Sequence, residues 1–300
     1  MKTVALIVNP FSSKVSESRL AAVEEALSAH AAVETLRTER RGHATELARE
    51  AVRSHDAVVV FSGDGVFNEV LNGVDRPIPL GFVPGGRTNV LPRALGLPRD
   101  PVAAAVQIGK ALDGERTRTI SLGRANGRRF GFAAGVGADA ELIRRMDERG
   151  RSQDGRLPGD VVAAWIFARE LAAHRWRFEP ALQIEGLGRA AFALIANGNP
   201  YTYAGRFGLH FTPKARFELG LDVVAPVSFS ALSLPQVAVR ALSGRGFEDR
   251  AGILTAHDLD RIEVLCGDPM PLQVDGEDLG DVSEAHFECE RAAVRVLVAD

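Results

Sequence analysis

One short stretch of this 300-residue chain constrains its fold more than any other: an apolar run that ends in a glycine-rich turn. Residues 56–61 read Asp-Ala-Val-Val-Val-Phe, and residues 62–70 read Ser-Gly-Asp-Gly-Val-Phe-Asn-Glu-Val. The pattern predicts a buried strand, a tight turn and the start of a helix. Such a turn places main-chain N–H groups and a helix N-terminus where a phosphate can bind. Asp64 inside the turn suits a bound Mg²⁺, although Gly-Asp-Gly is also ordinary turn chemistry.

Strands and helices alternate over the first third of the chain. Strands are predicted over residues 4–8, 33–36, 56–61 and 78–83, with helical patterns between and after them. This order is typical of a doubly wound parallel sheet, in which ligands bind beyond the carboxyl ends of the strands. A second glycine-rich loop, Pro84-Gly85-Gly86-Arg87-Thr88-Asn89, lies at such an end and precedes a helix.

The pattern changes near residue 117, where short apolar strands begin to follow one another with few helices between them. Successive strands of this kind predict an antiparallel, β-rich, sandwich-like domain. We therefore predict a doubly wound α/β nucleotide-binding domain over residues 1–120 and a β-rich substrate domain over residues 121–300.

Composition excludes several classes of protein. The net charge of −3 gives no sign of nucleic-acid binding. No apolar window is long enough to span a bilayer, and the apolar start of the chain is too short for a signal sequence. Cys266 and Cys289 lack metal-ligand spacing, so a reduced compartment is expected. Together these observations favour a cytoplasmic protein.

Six motifs, in this order along the chain, resemble those of the diacylglycerol kinase catalytic-domain family, which includes bacterial lipid kinases and the sphingosine and ceramide kinases. They are Asn9-Pro10-Phe11-Ser12-Ser13, Thr38 with Gly42-His43-Ala44, residues 62–70, residues 84–97, residues 131–140, and Leu272-Gln273-Val274-Asp275-Gly276-Glu277. The resemblance covers essentially the whole chain. It implies an ATP- and Mg²⁺-dependent lipid kinase that phosphorylates the hydroxyl of diacylglycerol or a related lipid alcohol, a sphingoid base included.

The resemblance also implies roles for individual residues. Asp275 is expected to be the general base for the lipid hydroxyl, with Glu277 in support and Asp64 acting near the phosphates. The expected nucleotide contacts are Asn9, Pro10, Ser12, Ser13, Thr38, Ser62, Gly63, Asp64, Gly65, Asn68, Gly85, Gly86, Arg87, Thr88 and Asn89. The expected metal ligands are Asp64, Glu218 and Asp222.

Structural interpretations of the same residues remain open from the sequence. Asp275-Gly276 between apolar residues is also a hairpin turn. Gly63 and Gly65 suit a tight turn that needs positive φ, and Glu69 suits the first turn of a helix, where a carboxylate favours the dipole. Glu218 and Asp222 are equally consistent with exposed acids at a turn into a strand.

Two departures from the family pattern leave other functions open. Val66 stands where threonine is usual, and Arg87 stands where threonine or serine is usual. Arginine at this position either grips phosphate with its planar guanidinium or fills the pocket. The alternatives are a catalytically weak or inactive lipid- or nucleotide-binding protein of the same fold, and an NAD-kinase-like enzyme, because NAD kinases share the Gly-Gly-Asp-Gly loop.

The partners that the resemblance implies are a lipid alcohol substrate and, by peripheral contact, the inner face of the membrane. Residues 161–167, with Phe207 and Phe211, suit an apolar lipid cleft, or else a core helix and two packed aromatic rings. No nucleic-acid partner is expected, and a homodimer is left open. The sequence does not select among lipid alcohols, because that selection depends on pocket shape.

Overall fold

The computed structural model describes residues 1–150, Arg169, Ala173 and residues 177–298. Over these residues the predicted fold class, an α/β domain with a parallel sheet followed by an antiparallel β-rich domain, is confirmed. The chain divides into two compact units. The first comprises Met1–Ser121 and the end of the chain from Arg291, and the second comprises Leu122–Glu290.

The first unit is built on parallel strands connected by helices. Its elements are β1 (Thr3–Val8), α1 (Glu17–Ser28), β2 (Ala32–Arg37), α2 (His43–Ser54), β3 (Ala57–Ser62), α3 (Asp64–Gly73), β4 (Pro79–Pro84), α4 (Val90–Ala94), α5 (Pro101–Asp113) and the start of β5 (Thr117–Ala125). The sheet has the order β2-β1-β3-β4, and all its neighbouring strands are parallel. The loops that follow β1, β2, β3 and β4 therefore meet at one edge of the sheet.

Local sequence explains how the helices of this unit begin. Ser16 caps α1 by accepting a hydrogen bond from the main-chain N–H of Arg19, and Asp100 caps α5 in the same way from Ala103. Pro101 occupies the first turn of α5, where a missing N–H costs nothing. Strand β3 is buried along its whole length because helices cover both faces of a parallel sheet.

The second unit is antiparallel. Its elements are the end of β5, β6 (Arg128–Phe130), β7 (Ala133–Val136), α6 (Ala138–Gly150), β8 (Arg177–Phe178), β9 (Leu182–Ile184), β10 (Gly188–Ala190), β11 (Ala193–Ala196), β12 (Thr202–Ala204), β13 (Phe207–Leu209), β14 (Leu221–Pro226), β15 (Phe229–Ser230), a 3-10 turn (Ala231–Ser233), α7 (Leu234–Ser243), β16 (Ile253–Leu259), β17 (Arg261–Val274) and β18 (Glu277–Leu297). The strand order is β16-β14-β11-β7-β17-β18. Phe130 and Phe287 pack edge to face in its core, with ring centroids 6.5 Å apart.

The last residues of the chain, from Arg291, belong to the first unit. The sequence had placed all of residues 121–300 in the second domain. Arg295 pairs with Pro79 and Val296 with Leu80, so the end of β18 adds a parallel strand beside β4 in the first unit. Pairing between such distant segments leaves no local signal in the sequence. The segment 161–167, predicted to line a lipid cleft or to form a core helix, lies outside the described residues.

No helix in the described ranges combines the length and the apolar character needed to cross a membrane.

Two glycine-to-alanine substitutions in α3 are predicted to have opposite effects on stability. A Cβ on Gly73 would lie 2.3 Å from the Thr45 carbonyl oxygen, so α2 and α3 would have to separate. We expect Gly73→Ala to lower the free energy of unfolding by about 1–3 kcal/mol. A Cβ on Gly65 meets nothing within 4 Å, and Gly65→Ala should raise the free energy of unfolding by up to about 1 kcal/mol. Chemical denaturation measures the free energy of unfolding of both variants. Equal values for the two would contradict the close contact between Gly73 and Thr45.

Candidate functional site

The two glycine-rich loops pack main chain against main chain at the carboxyl edge of the parallel sheet. The Gly85 N–H donates to the Ser62 carbonyl oxygen at 2.6 Å. A Cβ on Gly85 would lie 2.9 Å from Ser62 Cα, and a Cβ on Gly86 would lie 2.6 Å from Gly63 Cα. Glycine is therefore required at positions 85 and 86 by close approach of the two loops.

The expectation of positive φ at the first glycine pair is wrong. Gly63 has φ −103° and caps α3 in an extended conformation, while Gly65 lies within the first turn of the helix. Close contact explains Gly63 instead, because a Cβ there would lie 3.2 Å from Gly86 Cα. Gly65 is exposed, and the space beside it is open.

Asn89 closes the second loop upon itself. Its side-chain oxygen accepts from the Gly86 N–H at 2.8 Å, and its amide nitrogen donates to the Gly86 carbonyl at 2.7 Å. Asn89 is 2% exposed and has φ 52°, a left-handed conformation that asparagine tolerates well. Arg87 in the same loop is exposed and Thr88 is half-buried. Asn89 thus has a structural role, whereas Arg87 lies at the surface of the loop.

The loop after β1 contacts both glycine loops. The Ser12 hydroxyl lies 2.8 Å from the Ser62 hydroxyl, and the Lys14 N–H donates to the Gly85 carbonyl at 2.9 Å. Asn9 stabilises the turn itself, since its side-chain oxygen accepts from the Phe11 N–H at 2.9 Å. In the same loop Pro10 is half-buried and Ser13 is exposed.

Positive charge gathers beside these loops. Burial lowers the pKa of the Lys14 ammonium, and the nearby positive charges of Arg99, Arg19 and Arg93 lower it further. The carboxylate of Asp100 acts in the opposite direction. A cluster of cations of this kind favours an anionic ligand.

A pocket of about 280 Å³ opens at the same edge of the first unit. It is lined by Asn9, Phe11, Thr38, Glu39, Arg40, Arg41, Gly65, Val66 and Glu69. Of these, Asn9, Thr38 and Gly65 are residues predicted from the sequence to contact the nucleotide. Arg40 and Arg41 were not predicted, although two cations between a strand end and a helix start are a recognisable signal for an anion.

Glu69 fixes one wall of the pocket. One of its carboxylate oxygens accepts from the Gly42 N–H at 2.9 Å and the other from the Ala44 N–H at 3.1 Å. Gly42 has no side chain with which to cap α2, so Glu69 supplies the cap from α3. The same side chain therefore holds the start of α2 and the loop that carries Arg40 and Arg41.

Asp64 and Asn68 occupy different environments on α3. Asp64 is half-buried, and its carboxylate lies 3.4 Å from the Leu91 N–H at the start of α4. Asn68 is 1% exposed, and both its carbonyl and its side-chain oxygen accept from the amide of Asn72. Asp64 thus borders the glycine loops, whereas Asn68 lies in the packing beneath them and does not line the pocket.

In the second unit, Asp275 and Gly276 form the two-residue turn between β17 and β18. Val274 pairs with Glu277, and both turn residues are left-handed, with φ 48° for Asp275 and 80° for Gly276. This geometry is that of a type I′ hairpin, so the hairpin interpretation of the Asp-Gly pair is confirmed.

Asp275 also makes an unusual set of main-chain hydrogen bonds. Its carboxylate accepts from the N–H groups of Gly131 at 2.6 Å, Phe132 at 3.0 Å and Ala133 at 3.1 Å, and the side chain is 7% exposed. A carboxylate offers about four acceptor positions, so most of them are used in fixing its orientation. Glu277 is held separately, by the Arg128 guanidinium at 2.7 Å.

The predicted metal ligands Glu218 and Asp222 differ in environment. Glu218 is exposed, whereas Asp222 is 3% exposed and its carboxylate contacts His257 Nδ1 at 2.7 Å and the Asp258 N–H at 3.1 Å. Burial raises the pKa of Asp222, although these two hydrogen bonds oppose the shift. Within the described residues, no group of three or more His, Cys, Asp or Glu side chains is placed to hold a metal ion. Asp222 therefore serves as an acceptor between β14 and β16.

Sequence comparison finds relatives over the first domain and over most of the chain. Residues 3–125 match the family described as diacylglycerol kinase catalytic domain. Diacylglycerol kinase of Bacillus subtilis (strain 168) is 29% identical over 287 residues, which cover 92% of this chain and 90% of that protein. A candidate lipid kinase of Streptococcus pneumoniae serotype 4 is 36% identical over 163 residues, 52% of this chain and 54% of that protein. That second match spans about half of the relative.

Solved structures share the fold. A diacylglycerol kinase from Bacillus anthracis superposes with a TM-score of 0.73 at 21% identity, covering 99% of this chain and 97% of that chain. An NAD kinase from Archaeoglobus fulgidus in complex with ATP gives a TM-score of 0.52 at 13% identity, covering 99% of this chain and 94% of that chain. At these identities the likeness concerns the fold alone.

Removing the Glu69 carboxylate is predicted to loosen α2. We expect Glu69→Ala to lower the free energy of unfolding by about 1–2 kcal/mol, because two N–H groups at the start of a helix lose their acceptor. Glu50 on α2 is exposed and provides the matched control; Glu50→Ala should change the free energy of unfolding by less than about 0.5 kcal/mol. Urea denaturation of both variants measures the difference. A Glu69→Ala protein as stable as Glu50→Ala would refute the capping role.

Proposed function

Because residues 3–125 match the diacylglycerol kinase catalytic domain, we propose that the protein is an ATP-dependent lipid kinase. The acceptor of the γ-phosphoryl group is the hydroxyl of diacylglycerol or a related lipid alcohol, a sphingoid base included. The observation that carries the proposal is the close main-chain contact between the two glycine loops, beside a pocket that Arg40 and Arg41 line together with Glu39 and Glu69.

The nucleotide binds to the first unit. Its phosphates face the glycine loops, where a side chain at positions 85 and 86 would clash and only main chain is present. N–H groups at the start of α3 and the surplus positive charge around Lys14 stabilise the phosphate charge. Arg40 and Arg41 line the pocket beside them and contribute further cationic contacts.

Asp64 is the residue that suits Mg²⁺. This ion is usually held by one or two carboxylates together with substrate phosphates, so a single half-buried carboxylate next to phosphate-binding loops fits it. When bound, Mg²⁺ offsets the charge of the transferred phosphoryl group. Asp64 orients the ion and the phosphates, and its own position is set by the first turn of α3.

Asp275 is the proposed general base in the second unit. The three N–H groups of residues 131–133 hold its carboxylate in one orientation, which is the preorganisation that proton transfer requires. Phosphoryl transfer needs mainly positioning and charge stabilisation, so an oriented carboxylate suffices to accept the hydroxyl proton. Glu277 follows Asp275 by two residues and is fixed by Arg128 as a supporting group.

The lipid substrate implies peripheral contact with the inner membrane face. Phe207 is 54% exposed and available for such contact, with Arg206 over its ring at 4.9 Å. Phe211 instead stacks on Phe247 with centroids 6.1 Å apart, so it is a packed aromatic residue.

The proposal predicts phosphorylated lipid from purified protein, labelled ATP and Mg²⁺. Diacylglycerol, a sphingoid base and NAD serve as alternative acceptors in parallel reactions. Label in a lipid supports the proposal, label in NAD alone replaces it with the NAD-kinase-like alternative, and ATP binding without any turnover replaces it with a binding protein.

Substitution of Asp275 or Asp64 by asparagine should lower kcat by about 100-fold or more, because each removes a charge that acts in the transfer. Asparagine tolerates the left-handed conformation of Asp275, which keeps the turn. The matched control is Asp268→Asn, at an exposed carboxylate of the second unit, and it should retain wild-type kcat. Equal activity in all three variants would contradict both assigned roles.

Val66 is the observation that favours a weak catalyst as the second candidate. It lines the pocket with methyl groups where the family has a hydroxyl. If that hydroxyl contributes a hydrogen bond to the phosphates, Val66→Thr should raise kcat/KM by about 3- to 10-fold. A double variant with Arg87→Thr tests whether the arginine adds to or opposes this gain. Unchanged kinetics in both would show that neither departure limits the enzyme.

A further inference from the structure

The motif at residues 134–139, Ala-Gly-Val-Gly-Ala-Asp, ends in an aspartate that forms hydrogen bonds within the second unit. Asp139, in the first turn of α6, contacts the Tyr201 hydroxyl at 2.8 Å and the Gln273 amide nitrogen at 2.7 Å through one carboxylate oxygen, Oδ2. Tyr201 and Gln273 are 4% and 3% exposed. A Cβ on Gly135 would lie 2.2 Å from the same oxygen, so the glycine makes room for this carboxyl group.

If Asp139 were ionised, the Tyr201 hydroxyl would face two acceptors with only one proton to donate. The tyrosine hydroxyl lies 2.8 Å from Asp139 Oδ2 and 2.9 Å from the Ala134 carbonyl oxygen, and both are acceptors when Asp139 is ionised. A phenol has one proton, so one of these two oxygen–oxygen contacts would have none. The Gln273 amide already donates to Asp139 and, at 3.2 Å, to Tyr201.

A proton on Asp139 satisfies every contact. Asp139 then donates to the Tyr201 hydroxyl, and Tyr201 donates to the Ala134 carbonyl. Burial raises the pKa of Asp139, against the opposing effect of hydrogen bonds from Tyr201 and Gln273. In the described part of the chain no arginine or lysine pairs with this carboxyl group.

The same network reaches the Asp275 turn. The side-chain oxygen of Gln273 accepts from the Gly276 N–H at 2.9 Å, while its nitrogen is held by Asp139 and Tyr201. The orientation of the Gln273 amide is therefore fixed from both ends. Asp275 itself lies between Gln273 and Glu277 in a left-handed conformation that needs support.

We propose that Asp139 is protonated in the folded protein and that Asp139, Tyr201 and Gln273 form a neutral clamp that positions the Asp275-Gly276 turn. Asp139 and Asp275 both lie near Tyr201, and a neutral Asp139 avoids repulsion between two carboxylates at this site. The positioning part of the inference rests on the proposed function, whereas the protonation of Asp139 does not.

Infrared spectroscopy tests the proton directly. At pH 7 the difference spectrum between wild type and Asp139→Asn should contain the C=O band of a protonated carboxyl group. Asp278→Asn is the matched control, because the Asp278 carboxylate pairs with Arg144 at 3.0 Å, and its difference spectrum should contain only an ionised carboxylate. An ionised band for Asp139 as well would overturn the proposal.

The pH dependence of stability provides a second readout. The folded protein keeps the Asp139 proton at pH values where the unfolded chain, with a pKa of about 3.9, has released it. Wild type should therefore lose stability relative to Asp139→Asn as the pH rises above about 4, until the folded protein also releases the proton. Tyr201 and Asp275 also titrate near this site, as do Glu141 and Asp278, which both pair with Arg144. These groups are present in both proteins, so their contributions cancel in the difference. A constant difference between the two proteins would contradict the proposal.

Kinetics tests the positioning role. Gln273→Leu removes the hydrogen bonds at similar size, and kcat should fall by up to about 100-fold with KM for ATP unchanged, because the turn is displaced and the nucleotide pocket is not. The exposed Gln183 gives the control Gln183→Leu. Wild-type kcat in Gln273→Leu would refute positioning.

If wild type itself transfers no phosphate, the proposed function fails, while the infrared and stability results still decide the proton on Asp139.

Discussion

Direct contact between the main chains of two loops sets the carboxyl edge of the parallel sheet in the first unit. Where β3 and β4 end, Gly85 and Gly86 approach Ser62 and Gly63 too closely for any side chain. This contact fixes where α3 begins and so where the N–H groups of its first turn point. It also explains why this edge needs glycine without needing positive φ.

The second unit uses main-chain N–H groups in a different way. Three of them, from residues 131–133, bind a carboxylate of the protein itself, Asp275. The two units thus use main chain differently, since the glycine loops of the first unit pack against each other and the N–H groups of the β-rich unit hold a carboxylate. Asn197 helps to shape that internal site by donating to the Gly131 carbonyl at 2.8 Å.

The fold class, the glycine loops and the Asp-Gly turn were predictable from the sequence because their signals are local. Strand β3, the glycine turn and the Asp-Gly hairpin each show in a few adjacent residues. The pairing of β18 with β4 was not predictable, because its partners are distant in sequence. The capping of α2 by Glu69 and the proximity of Asp139 to Gln273 were missed for the same reason. Each depends on tertiary contacts that no periodicity records.

On one face of α3, neighbouring residues have two different roles: some only line the pocket, and Glu69 also caps α2. Gly65, Val66 and Glu69 all line the pocket, and residues three or four apart on a helix lie side by side. Glu69 accepts two hydrogen bonds from the start of α2, and its replacement would remove them. Gly65, in contrast, has open space beside it. Evolution can therefore alter the chemistry of the pocket near the start of the helix while the frame around it stays intact. A change at position 66 alters a side chain that lines the pocket and leaves the hydrogen bonds of Glu69 to α2 in place.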